Sequence, residues 1–560
     1  MTRRPGTPFI LGCLWLLFLA RGLFYISILP LWEGFDEWAH YAVVQAIATG
    51  GHLLPDRNGR VSREVESSLN LVPWRPWEEN VAAQHAAYWR LPDMERAARE
   101  RELRSMPARW ANEIAPDGRL SYEAQQAPLF YWVFSLLYRL TESISFLPRV
   151  WLLRLASLVV GSTVIPIGFL VARKVFTGDA PALGIVTLIA SMPQLTMTVG
   201  RVSNDSLAIP MGALLLYCLI GWKESPSSTR RSVILGITLG LALLTKAYFL
   251  AFVPFLVVCI WFWGLGRTSR RPALILVACA IAISSWWYTH NWMLTRSLTG
   301  ETIEIAAASA GPRFFDAAFR VKWIRTVDFT LLSQIWLGNW SFLVVRSWMY
   351  HFFYILVAGA CAGLVFRLAR HQQPAPARHL ILLAGVTASF LAAVGYHTVG
   401  SFQTQGVSWT FGHYVFPAIV AEAILLRVGL ESIVPKVVVP VVTPFLTTCL
   451  SALELFGLHF IAIAYYVGYS VAQPNGGLPA LRLDRLLNGG LHLLLSRLAE
   501  NKPFFLSATV IAVLWGLYLA ATFCLNTAGV YFAYTRVRKR DSDSEPKPAI
   551  GSKRPPVYHP

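Results

Sequence analysis

Apolar runs of about 20 residues recur along the whole chain and dominate its pattern of hydrophobic and polar positions. A run of that length is what an α-helix needs to cross the hydrocarbon core of a bilayer. The pattern therefore predicts an all-α polytopic membrane protein with about 12 transmembrane helices. The predicted spans lie near residues 9–30, 150–171, 182–200, 206–222, 232–245, 248–266, 272–290, 346–366, 380–397, 412–426, 437–463 and 504–534.

The composition agrees with this class, since 55% of the residues are hydrophobic and 14% are charged. The first run, residues 9–30, is long for a signal-peptide core and lacks a small-x-small cleavage site, so we interpret it as an uncleaved span. The net charge of +18 comes largely from basic loops between spans, which are typical of the cytoplasmic side. The charge therefore gives no reason to expect nucleic-acid binding.

The distribution of Lys and Arg predicts a cytoplasmic N-terminus. With that orientation the short outer connections carry only Arg201 and Lys246, whereas every inner segment contains at least two basic residues. The apolar stretch 128–140 would invert this pattern if it crossed the membrane, but it is only about a dozen residues long. We expect it to form an amphipathic helix at the outer interface.

The spans and loops divide the chain into six predicted regions. Two of them are long outer loops, which usually carry function rather than mere connection. The regions are the N-terminus with the first span (1–30), an outer loop with an acidic motif and interfacial helices (31–149), a transmembrane core (150–290), a second outer loop (291–345), the C-terminal spans (346–534) and a disordered basic cytoplasmic tail (535–560).

Two adjacent carboxylates, Asp36 and Glu37, follow the first predicted span directly. A carboxylate at the edge of a bilayer resists burial without a partner, which makes it a candidate functional group. The alternative is structural, because Asp36 precedes a helical pattern and an Asp there often caps the helix by accepting backbone N–H groups. The two roles are compatible.

Three motifs occur in a fixed order along the chain: Phe35-Asp36-Glu37 after the first span, Gln126-Ala-Pro-Leu-Phe-Tyr-Trp132 before the second, and Ser203-Asn-Asp205 after the third. In this order they resemble the GT-C superfamily of membrane glycosyltransferases. The chain looks closest to family 39, the dolichyl-phosphate-mannose protein mannosyltransferases, and to bacterial lipid A aminoarabinose transferases. The resemblance implies a GT-C-like bundle with interfacial helices in the first outer loop.

The resemblance also implies an activity. Such enzymes transfer a sugar from a polyprenyl-phosphate donor to an acceptor on the outer face of the membrane, with inversion at the anomeric carbon. The implied partners are that donor, a hydroxyl-bearing acceptor (protein, lipid or glycan) and membrane lipids. The expected location is a bacterial inner membrane with the active site facing outward.

Carried over to this chain, Asp36 matches the general base and Glu37 its companion in the family's first-loop motif. Asp205 matches a second acidic position, which either binds a divalent metal or orients the acceptor; a helix cap is the alternative. No cofactor is certain. Magnesium or manganese, held by Asp36 and Asp205, remains open.

The donor's phosphate needs cations near the outer interface, and Lys246 and Arg201 are the candidates. Lys246 could equally be a snorkelling anchor. Many relatives have an Arg before the Tyr of a late Tyr-x-x-Pro motif, where this chain has His413 before Tyr414. His40 follows Asp36 by four residues on the same helical face, where it either orients the base or faces the headgroups.

A transporter or lipid flippase is the main alternative of another class, with Arg21, Arg154 and Glu454 forming a path through the bilayer. A transporter needs access from both faces of the membrane. In this chain the inner loops are short and basic, and the bulk of the loops is predicted to lie outside, which favours an outward-facing enzyme.

Overall fold

The computed structural model of the chain describes residues 6–74, 83–265, 270–300, 312–370, 377–471 and 478–544. Within these ranges the regular structure is helical, and the only β-type pairings are isolated bridges in the loops. The prediction of an all-α polytopic fold is confirmed.

Eight helices in the described ranges are long and apolar enough to cross a membrane. A bent pair of shorter helices, Asp179–Ala190 and Pro193–Val199, makes nine if the pair is one span. The eight are Thr7–Ile28, Phe146–Val175, Asp205–Glu224, Arg270–Thr295, Ser347–Ala369, His379–Gln405, Val439–Tyr466 and Ala508–Thr535.

The remaining three of the 12 predicted spans are helical but shorter than a typical crossing. They are Thr229–Thr245 with 17 residues, the segment Ala247–Trp263, and Ile419–Ile433 with 15 residues. The first two are separated by a break in the helix at Lys246, which has extended backbone angles. The hydropathy pattern thus located these segments correctly, whereas helix length depends on breaks that hydropathy does not report.

Short helices fill the two long loops that the sequence predicts to lie outside, which we call the first and second outer loop. The apolar stretch after Pro128 forms Leu129–Leu140, a helix of 12 residues that packs on the helix Glu37–Gly50 and is shorter than a membrane crossing needs. The other outer-loop helices are Arg63–Leu71, Ala83–Tyr88, Asp93–Arg104, Ala108–Ala111 and Tyr122–Gln125 in the first loop, and Pro312–Arg320 and Trp323–Ile335 in the second.

The C-terminal part of the chain contains two more short helical segments, Leu483–Leu486 and Gly490–Ala499. The last helix continues from Ala508 to Ser544. The first ten residues of the predicted disordered tail, 535–544, are therefore helical, because the helix of the last span extends past its apolar part. The rest of that tail, 545–560, lies outside the described residues.

Two large apolar cores organise the described part of the chain. The larger one joins the spans, and the smaller one joins the first outer loop to the adjoining ends of the spans. The smaller core contains Trp32, Phe35 and Tyr41, and Trp340 of the second outer loop packs into it. The first outer loop thus has an apolar core of its own, which fixes the acidic motif against the spans.

The helices Ser347–Ala369 and Ile419–Ile433 pack closely through small residues. A Cβ atom on Gly429 would collide with the backbone of Ala360, and a Cβ atom on Gly363 would collide with the backbone of Gly429. Small residues at such crossings let two backbones approach, which strengthens van der Waals packing between membrane helices. This contact attaches the short helix Ile419–Ile433 to a full span.

We predict that Gly429→Ala destabilises the protein by about 1–3 kcal/mol, because the added methyl group forces these two helices apart. The matched control is Gly221→Ala, since nothing lies within 4 Å of a Cβ atom added there. The control should be neutral or stabilising by up to about 1 kcal/mol, because Ala favours a helix more than Gly. Thermal unfolding in mild detergent measures both, and equal melting temperatures would contradict the packing argument.

Candidate functional site

The loop between the first span and the helix Glu37–Gly50 has an unusual backbone conformation. Trp32 and Asp36 both adopt positive φ angles, 65° and 55°. Gly34 lies between them, and a Cβ atom there would be 2.9 Å from the Cβ atom of Arg201. A glycine at this position therefore lets the loop pack directly on Arg201.

Asp36 occupies the N-cap position of the helix Glu37–Gly50, but its side chain caps no backbone N–H group. Its carboxylate instead accepts a hydrogen bond from the hydroxyl of Tyr122. The residue is partly exposed, whereas its neighbours Phe35 and Glu37 are buried. The capping interpretation of the Asp36 side chain is therefore wrong.

Glu37 has a different environment from Asp36. Its two oxygens accept hydrogen bonds from the guanidinium of Arg154 at 2.7 and 2.6 Å, and the backbone N–H of Val202 donates to it at 3.2 Å. Glu37 is fully buried. These contacts suit a residue that holds the loop in place. Because Glu37 is buried and paired with Arg154, it is not open to a substrate.

Asp205 lies at the start of a span and is surrounded by cations. Lys246 donates to one of its oxygens, and Arg201 donates to the other at 3.0 Å. Ser203 also donates at 3.2 Å, and the Nε2 atom of His413 is 3.8 Å away. Asp205, Lys246, Arg201 and His413 thus form one buried cluster, although they are up to 212 positions apart in the chain.

Aromatic rings enclose the two cations of this cluster. The ammonium of Lys246 lies 5.2 Å from the ring centre of Tyr248 and 5.1 Å from that of Tyr414. The guanidinium of Arg201 lies 5.3 Å from the ring centre of Phe35. Such cation–π contacts stabilise a cation by electrostatic attraction to the ring. Lys246 is therefore not an interfacial snorkelling anchor.

The motifs that carry the sequence resemblance meet at this cluster. Gln126 accepts a hydrogen bond from Asn204 at 3.3 Å, which joins the second motif to the third. Val202 contacts Glu37, and Phe35 lies against Arg201, which joins the segment just before the third motif to the first motif.

His40 is buried one helical turn after Asp36. Its Nδ1 atom lies 2.8 Å from the hydroxyl of Tyr131 and 3.8 Å from the carboxylate of Glu123. Burial lowers the pKa of His40 to about 3, so its imidazole is neutral at pH 7. The structure therefore supports neither of the two roles predicted for His40, because the side chain faces Tyr131 and Glu123 rather than Asp36 or the headgroups.

Two carboxyl groups of the first outer loop, Asp36 and Glu123, have raised pKa values. Burial raises the pKa of Asp36 from its ordinary value. Burial and the charge of Asp36 together raise the pKa of Glu123 to about 8. Glu123 is therefore protonated at neutral pH, and the positive charges of Arg201 and Lys246 favour the ionised form of Asp36.

Three residues of this site were absent from the sequence prediction: Tyr122, Glu123 and Tyr248. Tyr122 and Glu123 lie just before the Gln126 motif, in a loop without hydrophobic periodicity. Tyr248 lies two positions after Lys246. In the sequence, the only sign that these three residues belong to the site is that they lie close to the Gln126 motif or to Lys246.

Hydrogen-bond donors remain available at the cluster. The Nε and Nη1 atoms of Arg201 are buried and have no hydrogen-bond partner among the described residues. A buried guanidinium without partners for its N–H groups is costly, and an anion can satisfy them. The site therefore has the donors that a phosphate group would accept from.

The contacts of Asp205 also decide whether a divalent metal ion fits this site. Both oxygens of Asp205 already accept from cationic or hydroxyl donors. Among the described residues no group of three or more His, Cys, Asp or Glu side chains could hold a metal ion. Asp36 and Asp205 as found here therefore do not fit a divalent metal.

A family model described as "Predicted membrane protein (DUF2142)" matches residues 17–421, which is most of the chain and includes the whole cluster. The chain belongs to the DUF2142 family. No curated protein matches it.

The structure resembles crystal structures of ArnT from Cupriavidus metallidurans, solved bound to undecaprenyl phosphate and in the apo state. The first match has a TM-score of 0.44 and 15% identity, and it covers 94% of this chain and 79% of ArnT. The second has a TM-score of 0.43 and 16% identity, and it covers 92% of this chain and 77% of ArnT. At these values the match carries no information on reaction or substrate.

We predict that Glu123 makes the stability of the protein depend on pH. The folded protein keeps the Glu123 proton up to a pKa of about 8, whereas the ordinary pKa is 4.5. Between these values the folded state binds more protons than the unfolded state, so stability falls as pH rises.

Thermal unfolding in detergent at about pH 5 and about pH 9 measures this effect. Glu123→Gln should lose most of the difference between the two melting temperatures, because its side chain does not titrate. The exposed Glu102→Gln serves as the control and should behave as the wild type. An unchanged difference in Glu123→Gln would show that other groups cause the pH dependence.

Proposed function

We propose that the protein is an inverting glycosyltransferase that moves a sugar from a polyprenyl-phosphate donor to a hydroxyl acceptor on the outer face of the membrane. One observation carries this proposal: the partly exposed Asp36 lies near a buried cluster of Lys246 and Arg201 in which Arg201 retains two unpartnered N–H groups. A general base beside an anion-binding site suits a reaction in which an acceptor loses a proton and a phosphate leaves.

Asp36 is the proposed general base. A hydroxyl that attacks the anomeric carbon must lose its proton as the new bond forms, and a positioned carboxylate takes that proton. The raised pKa of Asp36 makes it a stronger base than an ordinary Asp. The hydrogen bond from Tyr122 holds one of its oxygens, which leaves the other as the proposed proton acceptor.

Lys246 and Arg201 are the proposed phosphate ligands. As the bond between the sugar and the phosphate breaks, negative charge grows on the leaving phosphate, and fixed cations in a buried site stabilise that charge. Asp205 holds both cations in place through its two oxygens. Tyr248 and Tyr414 complete the wall around Lys246.

The position of the site fits a lipid-linked donor. Asp36 follows the first span, Asp205 begins another, and Lys246 ends a third apolar helix. Each of these ends lies outside in the topology that the positive-inside rule predicts. A polyprenyl chain could therefore remain in the bilayer while its phosphate meets Lys246 at the interface.

The contacts of the membrane-embedded charges speak against the transporter alternative. Arg21 pairs with Glu454, and Arg154 pairs with Glu37. All four side chains are at most 4% exposed. Each charge thus has a partner within the helix packing, so none of the four needs a substrate path to explain it.

We predict that Asp36→Asn lowers the transfer rate by about 10²–10⁴-fold, because Asn cannot accept the proton. Donor binding should persist, so a sugar-loaded polyprenyl phosphate should accumulate on the purified variant. Mass spectrometry of lipids that co-purify in mild detergent detects this donor and identifies its sugar.

The control for this variant is Asp93→Asn, since Asp93 lies in the same outer loop with its side chain 94% exposed. It should carry the same lipids as the wild type. If Asp36→Asn keeps full turnover, Asp36 is not the base. If neither protein carries a polyprenyl phosphate, the donor assignment fails.

We predict that Lys246→Ala weakens binding of undecaprenyl phosphate roughly 10- to 100-fold, because a charge-assisted hydrogen bond to the phosphate is lost. Lys246→Arg should recover part of the affinity, and the exposed Lys322→Ala should bind as the wild type. Binding to purified protein in detergent is the measurement. Equal affinity in Lys246→Ala would remove Lys246 from the phosphate site.

A further inference from the structure

A second open region lies in the first outer loop, apart from the cluster around Asp205. It is a cleft of about 700 Å³, within the range typical of small-molecule sites. Its walls are the C-terminal half of the helix Glu37–Gly50, the loop 51–62, residues 111–114 and the end of the helix Leu129–Leu140. All of these segments belong to the first outer loop.

A rigid hydrogen-bond network forms the floor of this cleft. Gln45 donates to Glu64 at 2.6 Å and to Tyr138 at 2.9 Å, and it accepts from Ser62 at 2.5 Å. Arg149 donates to Glu64 at 2.6 Å, so the buried carboxylate has a charged partner. A floor in which each group is held by two or more others is preorganised for binding.

The rim of the cleft is also fixed. Arg139 donates to the carbonyl of Ala48 at 3.0 Å and to that of Ile47 at 3.3 Å. These carbonyls lie in the last turns of the helix Glu37–Gly50, where a cation is favourable. Arg139 therefore forms part of the cleft wall.

One polar atom in the wall has no partner within the protein. Ser121 lines the cleft and is 6% exposed, and its Oγ atom is buried without a hydrogen-bond partner among the described residues. A buried hydroxyl is normally satisfied, so it calls for a partner from outside the chain. Ser121 also precedes Tyr122, which donates to Asp36, and thus places one end of the cleft beside the proposed base.

The charges of the cleft differ from those of the cluster around Asp205. Arg60 and Arg139 face Asp56, Glu113 and Glu142, so the two signs nearly balance. A site for phosphate or nucleic acid would carry an excess of cations. Short side chains that both donate and accept hydrogen bonds, together with apolar patches, instead suit a neutral molecule rich in hydroxyl groups.

We infer that this cleft binds the uncharged glycan part of the acceptor. The inference rests on the proposed function and extends it, because it names the acceptor class. The acceptor would lie along the helix Glu37–Gly50, with its bound sugar units in the cleft and its reacting hydroxyl at Asp36, near the first turn of the same helix. The donor phosphate and the acceptor glycan thereby occupy separate regions of unlike charge.

The test is photo-crosslinking of the full-length protein in its native membrane. A benzophenone amino acid replaces Asn112, an exposed residue of the cleft wall, and in a control protein it replaces Met94, which is 85% exposed and outside the cleft. After irradiation, mass spectrometry of the purified protein identifies what is attached at each position.

We expect hexose-containing adducts at position 112 and not at position 94. An added lipid mass identifies the glycan as a glycolipid headgroup, and its absence identifies a polysaccharide. Filling the cleft by Ala46→Trp should reduce the adduct, since Ala46 is exposed and lines the cleft. Adducts free of sugar, or equal sugar labelling at both positions, would overturn the inference.

Two readouts from the same sample distinguish a failure of this inference from a failure of the proposed function. Lipids that co-purify with the protein report the phosphate site around Lys246, whereas the adduct at position 112 reports the cleft. A glycan adduct without any polyprenyl phosphate would leave the cleft as a glycan site and would refute the donor. Polyprenyl phosphate without a glycan adduct would refute only the cleft assignment.

Discussion

The buried ion pair between Arg154 and Glu37 is the constraint on which the site depends. Besides Glu37, the guanidinium binds the carbonyls of Leu29 and Pro30, both at 2.8 Å, so it satisfies groups at the C-terminal end of the first span. Glu37 in turn accepts from the N–H group of Val202, beside Arg201 and the loop before Asp205. The Arg154–Glu37 pair therefore fixes the end of the first span and the start of the helix Glu37–Gly50 against the loop that precedes Asp205.

This arrangement explains why two adjacent carboxylates differ so strongly. Glu37 is satisfied by a charged partner, and removing one partner of such a buried pair typically costs about 3–5 kcal/mol. Asp36 takes a positive φ angle of 55°, which turns its carboxylate away from the helix that it precedes and toward Tyr122. A residue held in a sparsely populated conformation stores a modest strain, and such strain is common where a side chain must be presented to a ligand.

The sequence predicted the fold well, because each membrane span needs a long apolar run and leaves a visible signal. The lengths of the helices were less predictable, since hydropathy does not report the break at Lys246. The candidate site could be predicted in part: Asp205, Lys246, Arg201 and His413 were selected from motifs and topology, and the structure brings them together.

Other features of the site could not be predicted, because they depend on contacts between distant segments. Glu37 and Arg154 are 117 positions apart, and no spacing rule pairs them. Glu123 acquires its raised pKa only through burial beside Asp36, and both conditions arise in the folded chain. The cleft has no sequence signal at all, because four separate segments of the outer loop form its walls.

The helix Glu37–Gly50 connects the two regions of the molecule that carry its proposed chemistry. Asp36 precedes its first turn, near the cations that would hold a phosphate, and Gln45 on its second half forms the floor of the cleft. Arg154 fixes the first end of this helix, and Arg139 binds carbonyls at the other. A helix held at both ends keeps the distance between the two regions constant, because it rises a fixed amount per residue. A transferase that must align a lipid-linked donor with a hydroxyl acceptor needs such a fixed distance, since misplacement of the reacting atoms by about 1 Å lowers the rate sharply.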